Sequence, residues 1–97
     1  MIVSFGDGAT EDLYHGVNTA RSRRFPPDLT AIALVKLDVL HAAASLRDLR
    51  SPPGNRLNAL HGDWSGFLSM RVNDQWRLVF RWDGADARDV RLLDYHG

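Results

Sequence analysis

The chain has 97 residues, enough for one domain and too few for a second hydrophobic core, and it contains no cysteine. Disulfide frameworks, cysteine-ligated zinc sites, cysteine nucleophiles and thiol redox chemistry are thereby excluded. Hydrophobic residues make up 44% and charged residues 25%, the balance of a folded soluble domain, and twelve basic residues offset twelve acidic ones.

That neutrality hides an uneven distribution: residues 1–20 carry a charge of −3, residues 21–60 carry +4 and residues 61–97 carry −1. Eleven of the twelve bases are arginine, whose planar fork grips phosphate and stacks on bases. An anionic partner for the middle of the chain therefore competes with the plainer reading of a solvated basic surface. No apolar run reaches the roughly 18 residues of a membrane span. The first twenty residues also lack the basic start and apolar stretch of a signal peptide, so a cytoplasmic location with no membrane contact is expected.

In chain order, Met1 to Phe5 is a short apolar run with β-branched residues that predicts an edge strand, closed by Gly6-Asp7-Gly8. A first helix follows, capped by Asp7, with Glu11 and Asp12 near its positive end and Gly16 as its stop. Thr19 to Phe25 is an arginine-rich connector, after which Pro26-Pro27-Asp28 opens a second helix. Leu29, Ala33, Leu37, Leu40 and Ala44 recur at spacings of three and four and mark its buried stripe, which Ile32, Val35 and Val39 are expected to widen. Ser51-Pro52-Pro53-Gly54 ends helical structure.

From Leu57 the period becomes two. Strands are predicted at Phe67 to Val72, at Trp76 to Trp82 and from about Ala87 to Leu93, joined by turns at Asn73-Asp74 and Asp83-Gly84. Trp76, Leu78, Phe80 and Trp82 form the apolar face of the middle strand and must be covered. Helices first and strands afterwards give an α+β domain spanning 1–97, a helical hairpin packed on a small antiparallel sheet with the N-terminal strand added.

The four histidines, His15, His41, His61 and His96, show no established metal-ligand spacing, so neither metal nor cofactor is expected. Phosphate loops, dinucleotide fingerprints and the serine-hydrolase elbow are missing as well. What remains is a set of residues that antiparallel strands could bring together: Asn58 and His61, Arg77, and Asp94-Tyr95-His96. This mixture suits RNA cleavage through the RNA's own 2′-hydroxyl, with a base, a phosphate-binding cation and an acid. The bland alternative is a solvent-facing arginine and a frayed C-terminal tail.

Several separated stretches carry a resemblance that covers nearly the whole chain. These are Ser22-Arg23-Arg24-Phe25-Pro26-Pro27-Asp28-Leu29, Leu46-Arg47-Asp48-Leu49 through Pro52 to Leu57, Leu60-His61-Gly62-Asp63, Asn73 through Trp82, and the terminal Asp94-Tyr95-His96. Together they resemble HigB-type toxins of the RelE/ParE superfamily. The resemblance implies a type II toxin, an mRNA interferase that cuts messages on the ribosome and is neutralised by a helix-turn-helix antitoxin of the HigA type, with DNA contacted only through the antitoxin complex. It places the catalytic groups at Arg77, Asp94, Tyr95 and His96. His61 stands where relatives often carry lysine, and Asn58 where some carry histidine. His61 is therefore expected in the catalytic set too, either as a phosphate contact when protonated or as the acid or base itself, with Arg56 nearby as an alternative source of permanent charge.

Arg21, Arg23, Arg24, Arg47, Arg50 and Arg56, with Asn58, are the expected contacts to messenger and ribosomal RNA. The acidic N-terminal twenty residues suit a basic antitoxin. Two rival readings remain open at this point: a non-enzymatic inhibitor that binds a protein target such as gyrase, as in the ParE branch, and a weakened toxin whose only output is regulation of DNA through its antitoxin.

Overall fold

The computed structural model describes residues 1–95 and contains two α-helices and a four-stranded antiparallel sheet. The helices are α1 (Gly8–Tyr14) and α2 (Pro27–Ala42), and the strands β1 (Asn58–Ala59), β2 (Leu68–Arg71), β3 (Trp76–Asp83) and β4 (Asp86–Asp94) lie side by side in sequence order. The expected α+β architecture is the one observed. Short 3-10 turns at Ser22–Arg24, Leu46–Arg50, Pro53–Asn55 and Gly62–Trp64 fill the connections.

Local chemistry explains where the elements start and stop. Asp7 caps α1, its carboxylate accepting the Thr10 N–H at 2.8 Å. Pro27 opens α2, where a missing N–H costs nothing. Asn73 shapes the β2–β3 turn by accepting the N–H groups of Gln75 and Trp76 at 2.9 and 2.8 Å. The β3–β4 turn has two residues, and Gly84 takes the positive φ of 66° that such a hairpin needs at its first position.

Alternation along the strands then fixes the two faces of the sheet. Leu78 and Phe80 of β3, Met70 of β2 and Val90 and Leu92 of β4 turn inward and pack with Leu29, Ala33, Leu37 and Leu40 of α2. Trp76 and Trp82 border this core as expected, and the Trp76 ring meets Phe25 edge to face at 5.6 Å. The α2 stripe is narrower than expected. Ile32 and Val35 are exposed, and the buried residue at its end is Ala43 rather than Ala44, because the helix stops at Ala42 and the chain there turns extended.

The N-terminal run is extended but joins the sheet only through isolated parallel bridges, Ile2 to Ala87 and Phe5 to Val90. A bulge in β4 limits the pairing. The register shifts between Val79 and Arg81, and Asp89 takes a positive φ of 53° while giving its N–H to Ser4 Oγ at 2.9 Å. Beyond Gly6 the chain leaves the edge for α1. There the buried Thr10 hydroxyl accepts the Leu92 N–H at 2.9 Å, so a side chain takes over from the strand.

The acidic start of the chain is partly neutralised within the fold. Asp12 is buried, and its carboxylate accepts Arg21 Nε at 2.6 Å and the Thr19 hydroxyl at 2.8 Å. The bond from Arg21, with that from Thr19, holds the Asp12 carboxyl below its ordinary range. A carboxylate with a depressed folded pKa contributes stability that is fully present above its unfolded value, about 3.9, and is lost as pH falls through the folded value. Asp12→Asn is therefore expected to be less stable than the parent near neutrality, with the gap closing below about pH 4. Urea unfolding across that range checks this, and parallel pH profiles for the two proteins would contradict it.

Candidate nucleic-acid interface

The face of the sheet turned away from the helices carries the polar side chains. Cross-strand pairing places Arg71, Arg77 and Leu93 in one row, Asn58, Ser69, Val79 and Arg91 in the next, and Arg81 with Arg88 in a third. Arg77 is the best anchored of the cations. Its Nε donates to the buried Ser69 hydroxyl at 2.8 Å, its NH2 group donates to the Arg56 carbonyl at 2.7 Å, and its guanidinium lies 5.5 Å from the centre of the Tyr95 ring. Burial lowers its pKa, Tyr95 opposes that shift, and Arg71 and Arg56 add to it by repulsion. Arginine nevertheless keeps its proton under all physiological conditions. Among the described residues no carboxylate pairs with Arg77, so its charge is held in place without being cancelled.

The anchor for this arginine begins in the helical layer. Asn55 is fully buried; its amide donates to the carbonyls of Leu49 at 3.1 Å and Ser51 at 3.3 Å, and its oxygen accepts from Lys36 of α2. The next residue, Arg56, is left-handed at φ 45° and ψ 56°, an unfavourable region for a residue with a Cβ. That twist presents its carbonyl to Arg77. A chain of contacts thus runs from α2 through Asn55 and Arg56 to the guanidinium.

The other predicted site residues are distributed unevenly. Tyr95, 52% exposed, is fixed by its backbone N–H donating to the Gln75 carbonyl at 2.6 Å. Asp94 pairs with Trp76 and so lies on the opposite face from Arg77, where it accepts Gln75 Nε2 at 3.0 Å and ties the end of β4 to the β2–β3 turn. His61 is exposed at the far end of β1 from Arg56, where it precedes the 3-10 turn Gly62–Trp64. Asn58 is exposed in the row of Ser69. His96 lies outside the described residues.

The expected basic surface is divided as well. Arg21 is bound to Asp12, Arg23 donates to the Asn18 side chain at 3.2 Å, and Arg24 Nε donates to the Arg21 carbonyl at 3.4 Å, all beside α1. Arg47 and Arg50 are exposed on the turn Leu46–Arg50. Arg56 alone of these six contacts Arg77. The residues left out of the sequence reading are Ser69 and Asn55, which hold the site, and Arg81 and Arg91, which share its face. Alternation opposite Leu78 and Phe80 marks Arg81 in the sequence, whereas the β4 bulge obscures the facing of Arg88 and Arg91. Among the described residues no group of three or more His, Cys, Asp and Glu side chains is placed to hold a metal ion.

The fold is shared with a solved structure, YafQ from E. coli strain BL21(DE3), which superposes with a TM-score of 0.58 over 98% of this chain and 92% of its own, at 17% sequence identity. At the level of sequence, residues 2–96 match the family model described as the RelE-like toxin of type II toxin-antitoxin system HigB. Toxin HigB-1 of Vibrio cholerae serotype O1 is 40% identical over 96 residues, 99% of this chain and 98% of that protein. An uncharacterised protein of Haemophilus influenzae is 34% identical over 73 residues, 75% of this chain and 71% of its own. The chain belongs to the HigB family of RelE-like type II toxins, and a toxin of that type implies an antitoxin partner.

Proposed function

We propose that this toxin is an endoribonuclease that cuts messenger RNA on the ribosome in the cytoplasm, using the RNA's own 2′-hydroxyl as nucleophile and no metal, and that a helix-turn-helix antitoxin of the HigA type neutralises it. The observation that supports this reading most is the charge of Arg77, paired with no carboxylate among the described residues and fixed by Ser69 and Arg56 beside the half-exposed Tyr95 ring. A guanidinium already held in position stabilises a phosphorane with little reorganisation, which is where electrostatic catalysis is strongest. An aromatic ring beside it can stack on a base next to the scissile phosphate.

In the reaction a base takes the proton of the 2′-hydroxyl, and the 2′-oxygen attacks phosphorus. Arg77 binds the non-bridging oxygens as charge builds on them. The bond from phosphorus to the 5′-oxygen breaks, an acid protonates that oxygen, and the products are a 2′,3′-cyclic phosphate and a 5′-hydroxyl. His96 and Tyr95 are assigned the proton transfers. His61, at the other end of β1, is assigned contact with the RNA backbone, and Asp94 a positioning role through Gln75.

Expression of the chain without an antitoxin is expected to arrest growth and to create new 5′ ends within messages, read by primer extension. Arrest with unchanged message ends would overturn the nuclease reading in favour of a toxin that binds a protein target.

A further inference from the structure

The outer face holds a second cluster, separate from Arg77 and Tyr95. Trp64, on the turn before β2, meets Phe67 edge to face at 5.1 Å. Two guanidiniums flank these rings: Arg81 lies 4.5 Å from the centre of Phe67, and Arg91 lies 5.2 Å from Trp64 and 5.8 Å from Phe67. Their electrostatic states differ. Arg81 is paired with Asp89 at 3.4 Å, while no carboxylate among the described residues pairs with Arg91. Arg91 Nε is moreover buried and meets no acceptor. On its other side stands Gly6, where a Cβ would fall on the Arg91 guanidinium.

A buried N–H without an acceptor costs desolvation free energy, and an anion drawn to the half-buried Arg91 side chain meets a positive charge that no carboxylate among the described residues shares. An arginine stacked on aromatic rings, unpaired and on the same face as a phosphate-binding site, is the chemistry that tracks single-stranded nucleic acid. The cations also follow one another along the face. Arg81 is four residues from Arg77 on β3, about 14 Å along the strand at about 3.4 Å per residue, and Arg91 stands opposite Val79 between them.

We infer that Arg91, held between Gly6 and the Trp64 and Phe67 rings, binds a phosphate of the message a short distance from the scissile one, with Trp64 as the stacking surface for the adjoining base. This subsite rests on the nuclease reading and sets how the strand lies across the sheet. The test is cleavage of a message on programmed ribosomes, with a single neutral methylphosphonate placed in turn at each linkage within three nucleotides of the cut.

One position away from the cut is expected to slow the parent protein about tenfold when neutralised and to leave Arg91→Gln, already slow, without further loss. Trp64→Leu shares this loss of sensitivity in part, and carries the test should Arg91→Gln fail to fold. Parent-like cleavage by Arg91→Gln, or a rate loss that persists unchanged at every neutralised position, makes Arg91 a structural clamp between Gly6 and Trp64 and overturns the inference. Absence of cleavage by the parent itself overturns the nuclease reading, and this inference with it.

Discussion

Arg77→Ala is expected to cleave ribosome-bound message about 10² to 10³-fold more slowly than the parent protein and to arrest growth no longer. The size of the loss follows from the role proposed for the side chain, a fixed charge at the point where negative charge develops, and removal of one such donor typically costs that much. Stability is expected to fall modestly, since the buried Ser69 hydroxyl loses its partner. Arg77→Lys separates charge from geometry. An ammonium cannot donate at once to Ser69, to the Arg56 carbonyl and to phosphate in the planar arrangement that a guanidinium allows. It is expected to recover only a minor share of the rate, and a fully active lysine variant would show that any cation on this strand suffices.

Asn55→Ala is expected to carry the second large effect although the residue is buried away from the outer face of the sheet. Its truncation leaves the carbonyls of Leu49 and Ser51 and the amine of Lys36 without their partner and costs about 2–3 kcal/mol of stability by urea unfolding. The loop then loses the constraint that keeps Arg56 left-handed, and Arg77 loses an anchor. Cleavage should fall well below that of Leu40→Ala, a core variant with a comparable cavity penalty but no link to the loop. Equal activity of the two variants, each measured where it is fully folded, would mean that Asn55 serves stability alone.

Most of the scaffold was legible because it follows local rules. Pro27, the α2 stripe from Leu29 to Leu40 and the alternation from Trp76 to Trp82 each state their role through spacing, and the structure places them accordingly. Ile32 and Val35 misled because apolar composition does not reveal which side of a helix has a neighbour. β1 is only two residues long, too short for any periodicity, and the single residue added at Asp89 reverses the facing of everything after it in β4.

The site was legible in its residue types more than in its arrangement. Arg77 and Tyr95 do meet across the last strand pair, but Asp94 falls on the opposite face by the alternation of that same strand. No pattern announces that Asn55 is buried, since its partners are two backbone carbonyls and a lysine nineteen residues earlier. The partner of Arg21 was hidden for a related reason: an ion pair nine residues apart, across a change of element, looks in sequence like two independent surface charges.

The claim that this sheet face cleaves RNA through the 2′-hydroxyl is tested most directly by a message carrying a single 2′-O-methyl group at the mapped cut site, presented on ribosomes to the purified toxin. The unmodified message should yield a 2′,3′-cyclic phosphate and a 5′-hydroxyl, and the methylated one should remain intact at that position. Cleavage of the methylated message at the same linkage, or products ending in a 3′-hydroxyl and a 5′-phosphate, would contradict the account.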